Sequence, residues 1–415
     1  MPAIVALLRP AEPVERALTY STMASSLAKG LQFSVSALYF VRILGLHPST
    51  VGIGLTVAGG VGVAASVGAG YLVDRVGARR ILLVATVGNG IGTGAYLLAR
   101  DAVAFVVAAC VVLGMAAMQR TAMLTVIAQS FGTESRIQVR ARLRAATNVF
   151  IAVGTGVAAA ALLVGTAPAY VIAMAGTAAL VLGSAVPLRV LPGTRTPRAG
   201  GPRDEEPAGV SPIRDVRYLT ATALNAVMCL QFGLLTVGVP LWVSGHTRAP
   251  AVTVSALLAL NTVAVALFQA RAARATPDVP SAGRAVAVAG VLLALACGLY
   301  AGAATGRPAL AVLVLLAAAG AHSAGEILSE SGSWTLAFDL ADPRRAGAYQ
   351  GVSQAGPAIG GMLAPAVVTA TAIRYGTLGW AMLAAAFLAA ALATLALSRR
   401  ATRGAAVAVL AQSSG

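Results

Sequence analysis

Three ionisable residues stand inside long apolar stretches of this sequence: Lys29, Arg120 and Glu326. Burying a charge in lipid costs at least about 2.5 kcal/mol, so each is a functional candidate by default. A carboxylate in such a place can take up and release a proton. A guanidinium stays charged and can only attract or neutralise. Lys29 is the single lysine beside 29 arginines. A desolvated lysine can give up its proton, so Lys29 could draw in an anion or exchange a proton itself; the alternative is an ammonium snorkelling to a nearby water pocket. Gln32, Gln119, Asn225, Gln231 and His322 are polar neighbours that could complete a pocket, and each reads as well as a helix–helix hydrogen bond.

Such residues need spans to hold them, and the composition supplies spans. The chain has 415 residues, of which 58% are hydrophobic and 11% charged, with a mean hydropathy of +0.82. That excludes a soluble globule. A net charge of +16 would suit nucleic acid only if the basic residues shared one exposed, aromatic-laced surface; here they edge the apolar runs, and no nucleic-acid partner is expected. Cys110, Cys229 and Cys297 lie apart within apolar runs and read as small buried hydrophobes, with neither a disulfide framework nor a metal site. The apolar stretch Ala3 to Leu8, broken by Arg9 and Pro10, makes a poor secretory signal. No phosphate-binding Gly-rich loop occurs, so no ATP-driven step and no cofactor are expected.

About 20 apolar residues cross a bilayer. Runs between charge and Pro/Gly breaks predict twelve spans, near 18–41, 50–72, 81–99, 102–130, 145–165, 169–188, 218–241, 252–270, 285–303, 308–330, 347–370 and 377–398. Arginine placement tests the count independently. With the N-terminus inside, 23 of the 30 basic residues fall on the cytoplasmic side and five on the other, with Lys29 and Arg120 left in the membrane. An eleven- or thirteen-span arrangement loses that split.

Residues 189–217, with five prolines and solvated charges such as Asp204, Glu205 and Glu206, read as a linker between an N-terminal bundle, 1–188, and a C-terminal bundle, 218–415. Leu31-Gln32-Phe33 recurs as Leu230-Gln231-Phe232. The acid-x-Arg pair Glu134 and Arg136 recurs as Asp342 and Arg344. Repeats at equivalent places predict two pseudo-symmetric six-helix bundles with a binding site between them near midplane. The fold class is therefore an all-α membrane protein of twelve transmembrane helices.

Between the second and third spans the sequence runs Gly70-Tyr-Leu-Val-Asp74-Arg75-Val-Gly77-Ala78-Arg79-Arg80. This resembles the loop motif G-x-x-x-D-R-x-G-R-R of the major facilitator superfamily, with Ala78 where that family usually has a basic residue. Physically, Asp74 falls at the C-terminal end of a helix, the wrong end for an anion, and needs support from an arginine or a neighbouring helix N-terminus. Gly70, one turn earlier, permits close approach. The resemblance implies that Gly70, Asp74, Arg75 and Gly77, with Arg79 and Arg80, latch the second span to the eleventh and release it during inward opening. The alternative is a topogenic basic loop with no gating role. The family's G-P-x-x-G-G antiporter motif is absent from the fifth span, which reads Gly154-Thr-Gly156. It stands instead as Gly356-Pro357-Ala358-Ile359-Gly360-Gly361 in the eleventh, where it reads as a packing element.

In that family, spans one, four, seven and ten line the central cavity, which implies that Lys29, Arg120 and Glu326 face water and substrate. By the repeat offset Glu326 corresponds to Met118, about 3 Å in depth from Arg120. A cross-cavity pair follows as an expectation, with Glu326 carrying the proton and Arg120 as counter-charge; a fixed ion pair is the alternative. The resemblance implies proton-coupled efflux of a small hydrophobic or amphiphilic compound by alternating access. The runner-up is uptake of an organic anion with protons, and a receptor or enzyme on the same fold is the remote case. A monomer in a bacterial inner membrane, both termini cytoplasmic, is expected.

Overall fold

The computed structural model describes residues 12–164, 166–192, 210–250, 252–304 and 307–413. The stretch Ala3 to Leu8 and the linker acids Asp204, Glu205 and Glu206 lie outside them. The described residues form twelve successive helical segments and no strand. They are α1 (Pro13–Leu38), α2 (Pro48–Val76), α3 (Ala78–Ala95), α4 (Ala102–Ser130), α5 (Thr133–Val164) and α6 (Ala167–Gly183). The second six are α7 (Val216–His246), α8 (Val252–Arg274), α9 (Val279–Gly302), α10 (Pro308–Asp339), α11 (Ala346–Val368) and α12 (Thr377–Ser413). α7 is interrupted by a turn at Cys229–Leu230 and a π-helical stretch at Leu234–Gly238, and α1 and α11 each end in a π-helical turn, at Tyr39–Ile43 and Thr369–Ile373.

Among the described residues, nine of these are long and apolar enough to cross a membrane. The other three are α1, α3 and α5. α1 carries Glu15, Arg16 and Lys29; α3 has 18 residues and opens on Arg79 and Arg80; α5 begins with four arginines in its first twelve positions. Exposed Ile53, Val84, Ile91, Val107, Val291 and Leu392 put an apolar surface on the outside, as expected of helices whose solvent is lipid.

The helices outrun the apolar stretches at one end. α5 begins at Thr133 rather than 145, α10 runs to Asp339 rather than 330, and α12 to Ser413 rather than 398. An apolar run measures hydrocarbon thickness, whereas a helix stops only where its backbone bonds are capped or its partners end. Capping supplies the starts: Asp101 accepts the Ala104 N–H at 2.7 Å, Asp215 that of Tyr218 at 3.0 Å, and Asp278 with Ser281 forms a reciprocal capping box.

The chain divides into two compact units. Unit 1 comprises Met1–Gly132, Arg142–Ser211 and Asp342–Ala355. Within it α4 packs on α2 and α3, and α6 on α1 and α3, around Phe40, Tyr96 and Phe105; the Phe40 and Phe105 rings lie 4.7 Å apart. Gly30 and Gly154 let α1 and α5 touch backbone to backbone, since a Cβ on Gly154 would collide with the Leu27 carbonyl and Gly30 Cα. Unit 2 comprises Thr133–Ala141, Pro212–Ala341 and Gly356–Gly415. There α9 packs on α10 and α12, and α8 on α10, around Trp242, Tyr300, Trp380 and Phe387, with Trp242 Nε1 donating to the Tyr300 carbonyl at 2.7 Å. The G-P-x-x-G-G stretch packs α11 on α7: a Cβ on Gly356 would meet the Thr222 carbonyl, and one on Gly360 the Ala226 carbonyl.

This packing makes a testable asymmetry within one helix. Gly154→Leu overfills the α1–α5 contact and is expected to destabilise by about 1–3 kcal/mol or more, read as a lower midpoint of thermal unfolding in detergent. Gly156, two residues on, has open space where a Cβ would stand, so Gly156→Ala leaves the midpoint in place. Equal midpoints for both variants contradict the packing account.

Candidate functional site

In unit 1 the motif residues meet the first turn of α11. Asp74 Oδ1 accepts the Gly347 N–H at 2.8 Å, and Oδ2 accepts the Ala348 N–H at 2.8 Å. The carboxylate thus fills the free donors of a helix N-terminus and meets its positive dipole end, one of the two supports its placement required. Small residues allow the approach. A Cβ on Gly70 would strike the Gly347 carbonyl and Ala348 Cα; one on Gly347 would strike the Asp74 carboxylate; one on Gly351 would strike the Ser66 carbonyl. Gly77 has φ +101° at the turn into α3, a conformation L side chains rarely adopt. Arg75 and Arg80 are exposed. Arg79 donates to the Arg189 carbonyl and so ties α3 to the short helical turn Pro187–Val190 that follows α6.

Also in unit 1, Lys29 is half-buried on α1, with Gln32 one turn further along. Arg120 on α4 and Arg144 on α5 lie near enough for their charges to act on the Lys29 ammonium. Arg120 is exposed, and the next residue of α4 is anchored to α2, with Thr121 Oγ1 donating to the Ser66 carbonyl at 3.2 Å. Sequence reasoning found Lys29 and Arg120 but read Arg144 as a loop charge. The longer α5 makes it a helix residue, and its charge acts on Lys29. Glu15, 5% exposed, forms an ion pair with Arg142, its Oε1 2.6 Å from Nε, joining the beginnings of α1 and α5.

In unit 2 Glu326 is 4% exposed on α10. Its Oε2 accepts a hydrogen bond from Asn261 Nδ2 of α8 at 2.8 Å, and the same amide donates to Ser323 Oγ at 3.2 Å. Asn261 is a partner of the candidate residue Glu326 that the sequence analysis did not name, although an amide inside the eighth apolar run was a legible signal. Beside this cluster a largely apolar, open groove of about 600 Å³ runs between α8 and α10; Ala264, Phe268, Arg271, Ser323 and Ile327 line it. Ser323 thus belongs to both the carboxylate's hydrogen-bond cluster and the groove wall.

The remaining polar candidates in this unit sit apart from that cluster or face the core. Gln231 is 1% exposed, and its Oε1 has no partner among the described residues. Asn225 is half-buried, with Cys229 Sγ 4.0 Å from its Oδ1. His322 is fully buried, edge-on to Tyr300 with ring centroids 6.2 Å apart, and neither ring nitrogen has a partner among the described residues. Arg136 pairs with Asp339 and stacks on Phe338, while Arg140 lies 4.8 Å over the Trp334 ring. The overlong start of α5 is thereby fastened to the overlong end of α10.

The arrangement offers a protonatable carboxylate beside an apolar groove, a group of three cations, and a carboxylate-to-helix contact set among glycines. Comparison with known proteins agrees on the architecture. The family model described as the Major Facilitator Superfamily matches residues 18–365. The comparison with curated proteins found no match. Among solved structures, the human organic anion transporter MFSD10 (TETRAN) superposes with a TM-score of 0.70 at 14% identity, covering 93% of this chain and 100% of that one. A bacterial homologue of the iron transporter ferroportin in its outward-facing state gives 0.69 at 16% identity, with 94% and 99% covered. The transporter FucP in its outward conformation gives 0.71 at 12% identity, with 93% and 97% covered. At these identities the likeness establishes the fold.

Proposed function

This chain belongs to the major facilitator superfamily, a family of membrane transporters, and from that premise we propose that it exports a small hydrophobic or amphiphilic compound in exchange for protons, by alternating access. The observation that carries the reading is the open apolar groove of about 600 Å³, whose wall residue Ser323 is hydrogen-bonded into the buried cluster of Asn261 and Glu326. An apolar groove holds hydrophobic cargo through burial, and an adjacent carboxylate can couple occupancy to proton loading. The Asp74 contact supports the alternating part. It is a pair of charge-assisted bonds to another helix, made without covalent or bulky restraint, so it can open and re-form.

A second reading has its own support. The closeness of Lys29, Arg120 and Arg144 suits an anionic substrate, and MFSD10, similar in fold, is described as an organic anion transporter. On that reading the protein takes up an organic anion together with protons. Under both it works as a monomer in a bacterial inner membrane with its termini in the cytoplasm, as the arginine distribution predicts, and performs no covalent chemistry.

Inverted membrane vesicles separate the two. A growth-inhibition panel comparing cells with and without the gene identifies compounds to load. Export predicts that acidifying the vesicle lumen drives accumulation of a panel compound, and that dissipating the gradient abolishes it. Uptake symport predicts that the same compound leaves the vesicles with protons. Accumulation indifferent to the proton gradient refutes both.

A further inference from the structure

We propose that the outer surface of α9 and α12 carries a binding site for an anionic phospholipid, with the phosphate held by Arg284, Arg399 and Arg403. On α9 the exposed residues Val288, Val291 and Leu295 follow one another at helical spacing along one face, and Arg284, exposed, ends that stripe one turn before Val288. On α12 the exposed Leu392 and Ala396 continue at the same spacing into exposed Arg399 and Arg403. Two lipid-facing apolar stripes therefore finish in arginines at the depth where hydrocarbon gives way to headgroups.

The two stripes are brought side by side by tight helix packing. A Cβ on Gly283 would collide with the Ser398 side chain, and one on Gly290 with that of Ala391. At the end of this seam lies a recess of about 250 Å³ lined by Pro280, Arg284, Leu395, Arg399, Thr402 and Arg403. Leu395, one turn before Arg399 on α12, gives it an apolar wall on the hydrocarbon side, and Arg284, Arg399, Arg403 and Thr402 make its polar lining cationic and hydroxylic. Among the described residues none of the three arginines has a carboxylate within ion-pair distance. The nearby Asp278 caps α9, and hydrogen bonds from the Ser281 hydroxyl and N–H, with a smaller contribution from the Arg284 charge, hold its carboxylate below the ordinary range without an ion-pair contact to that arginine.

Guanidinium groups match phosphate oxygens bidentately, and a basic recess between helices at the headgroup level recruits anionic lipid with each cation adding to the attraction. A phosphodiester tethered in the leaflet fits where a dissolved anion would have nothing to place on Leu395. The site is independent of what the protein transports.

The test is retention of added lipid by the purified full-length protein, measured by native mass spectrometry after delipidation. Phosphatidylglycerol is expected to be retained on the order of tenfold more than phosphatidylcholine of the same chains. The triple variant Arg284→Gln, Arg399→Gln, Arg403→Gln should fall to the phosphatidylcholine level, and Arg214→Gln with Arg217→Gln, which removes exposed charge at the start of α7, should not. Equal retention of the two lipids by the unaltered protein overturns the proposal and needs no variant to fold. So does undiminished phosphatidylglycerol on the triple variant, or an equal loss from the α7 variant. Displacement by millimolar inorganic phosphate makes the recess a site for the free anion and likewise overturns it.

Discussion

Asp74→Asn is expected to unfasten α11 from α2 and stop transport while leaving the protein folded in the membrane. The carboxylate accepts two backbone N–H groups, from Gly347 and Ala348, one on each oxygen. Asparagine keeps one acceptor and turns an NH2 group toward the second N–H. The negative charge that complements the helix N-terminus is lost as well. Hydrogen bonds to a charged group are worth about 1.5–3 kcal/mol each. Losing about 3 kcal/mol moves a two-state population roughly a hundredfold, enough to convert a mostly latched protein into a mostly open one.

Labelling reads this directly. Ser66, 2% exposed on α2, has its carbonyl against Gly351 of α11. In a background with Cys110, Cys229 and Cys297 replaced by serine, a cysteine in place of Ser66 should react slowly with a water-soluble maleimide. Adding Asp74→Asn should raise that rate at least tenfold. Gly347→Val, which drives a side chain into the same carboxylate, should raise it too. Unchanged labelling in both variants would leave Asp74 with the topogenic role alone.

The motif was legible because its chemistry is local. An acid at the C-terminal end of a helix, one turn after a glycine, must find support outside that helix, whatever the fold. Which support it finds is set by tertiary structure, and the answer, the first N–H groups of α11, lies 273 residues away. The twelve segments were legible from apolar runs, yet their ends were not. The first turns of α5 and the last of α10 are held by Arg136 with Asp339 and by Arg140 on Trp334, contacts that no hydropathy pattern contains. Glu326 was visible as a lone acid in an apolar run, whereas its hydrogen-bond partner was not. That partner, Asn261 of α8, comes from a neighbouring helix and from a stretch 65 residues away in the chain. Arg144 escaped for the opposite reason, being counted with a loop when the helix begins eleven residues before it.

Glu326→Gln is expected to separate substrate movement from proton movement. The glutamine side chain has nearly the same volume, and its Oε1 can still accept from Asn261 Nδ2, so the α8–α10 contact survives the exchange. What disappears is the proton. If Glu326 carries it, accumulation driven by a pH gradient should fall at least tenfold, equal to about 1.4 kcal/mol of lost driving coupling, and the pH profile of transport should flatten. Exchange of labelled for unlabelled substrate with no gradient should persist, because that cycle never requires the carboxylate to change its charge. Asn261→Ala gives the complementary case. It removes the donor that meets the carboxylate and leaves the acid in place, so the pH profile should shift while retaining its amplitude. A purely structural glutamate predicts a different pattern: Glu326→Gln, which keeps the Asn261 hydrogen bond, leaves the pH profile, gradient-driven transport and exchange all unchanged. Counterflow and gradient-driven uptake measured on the same vesicles therefore decide whether the buried carboxylate does the coupling or only ties two helices.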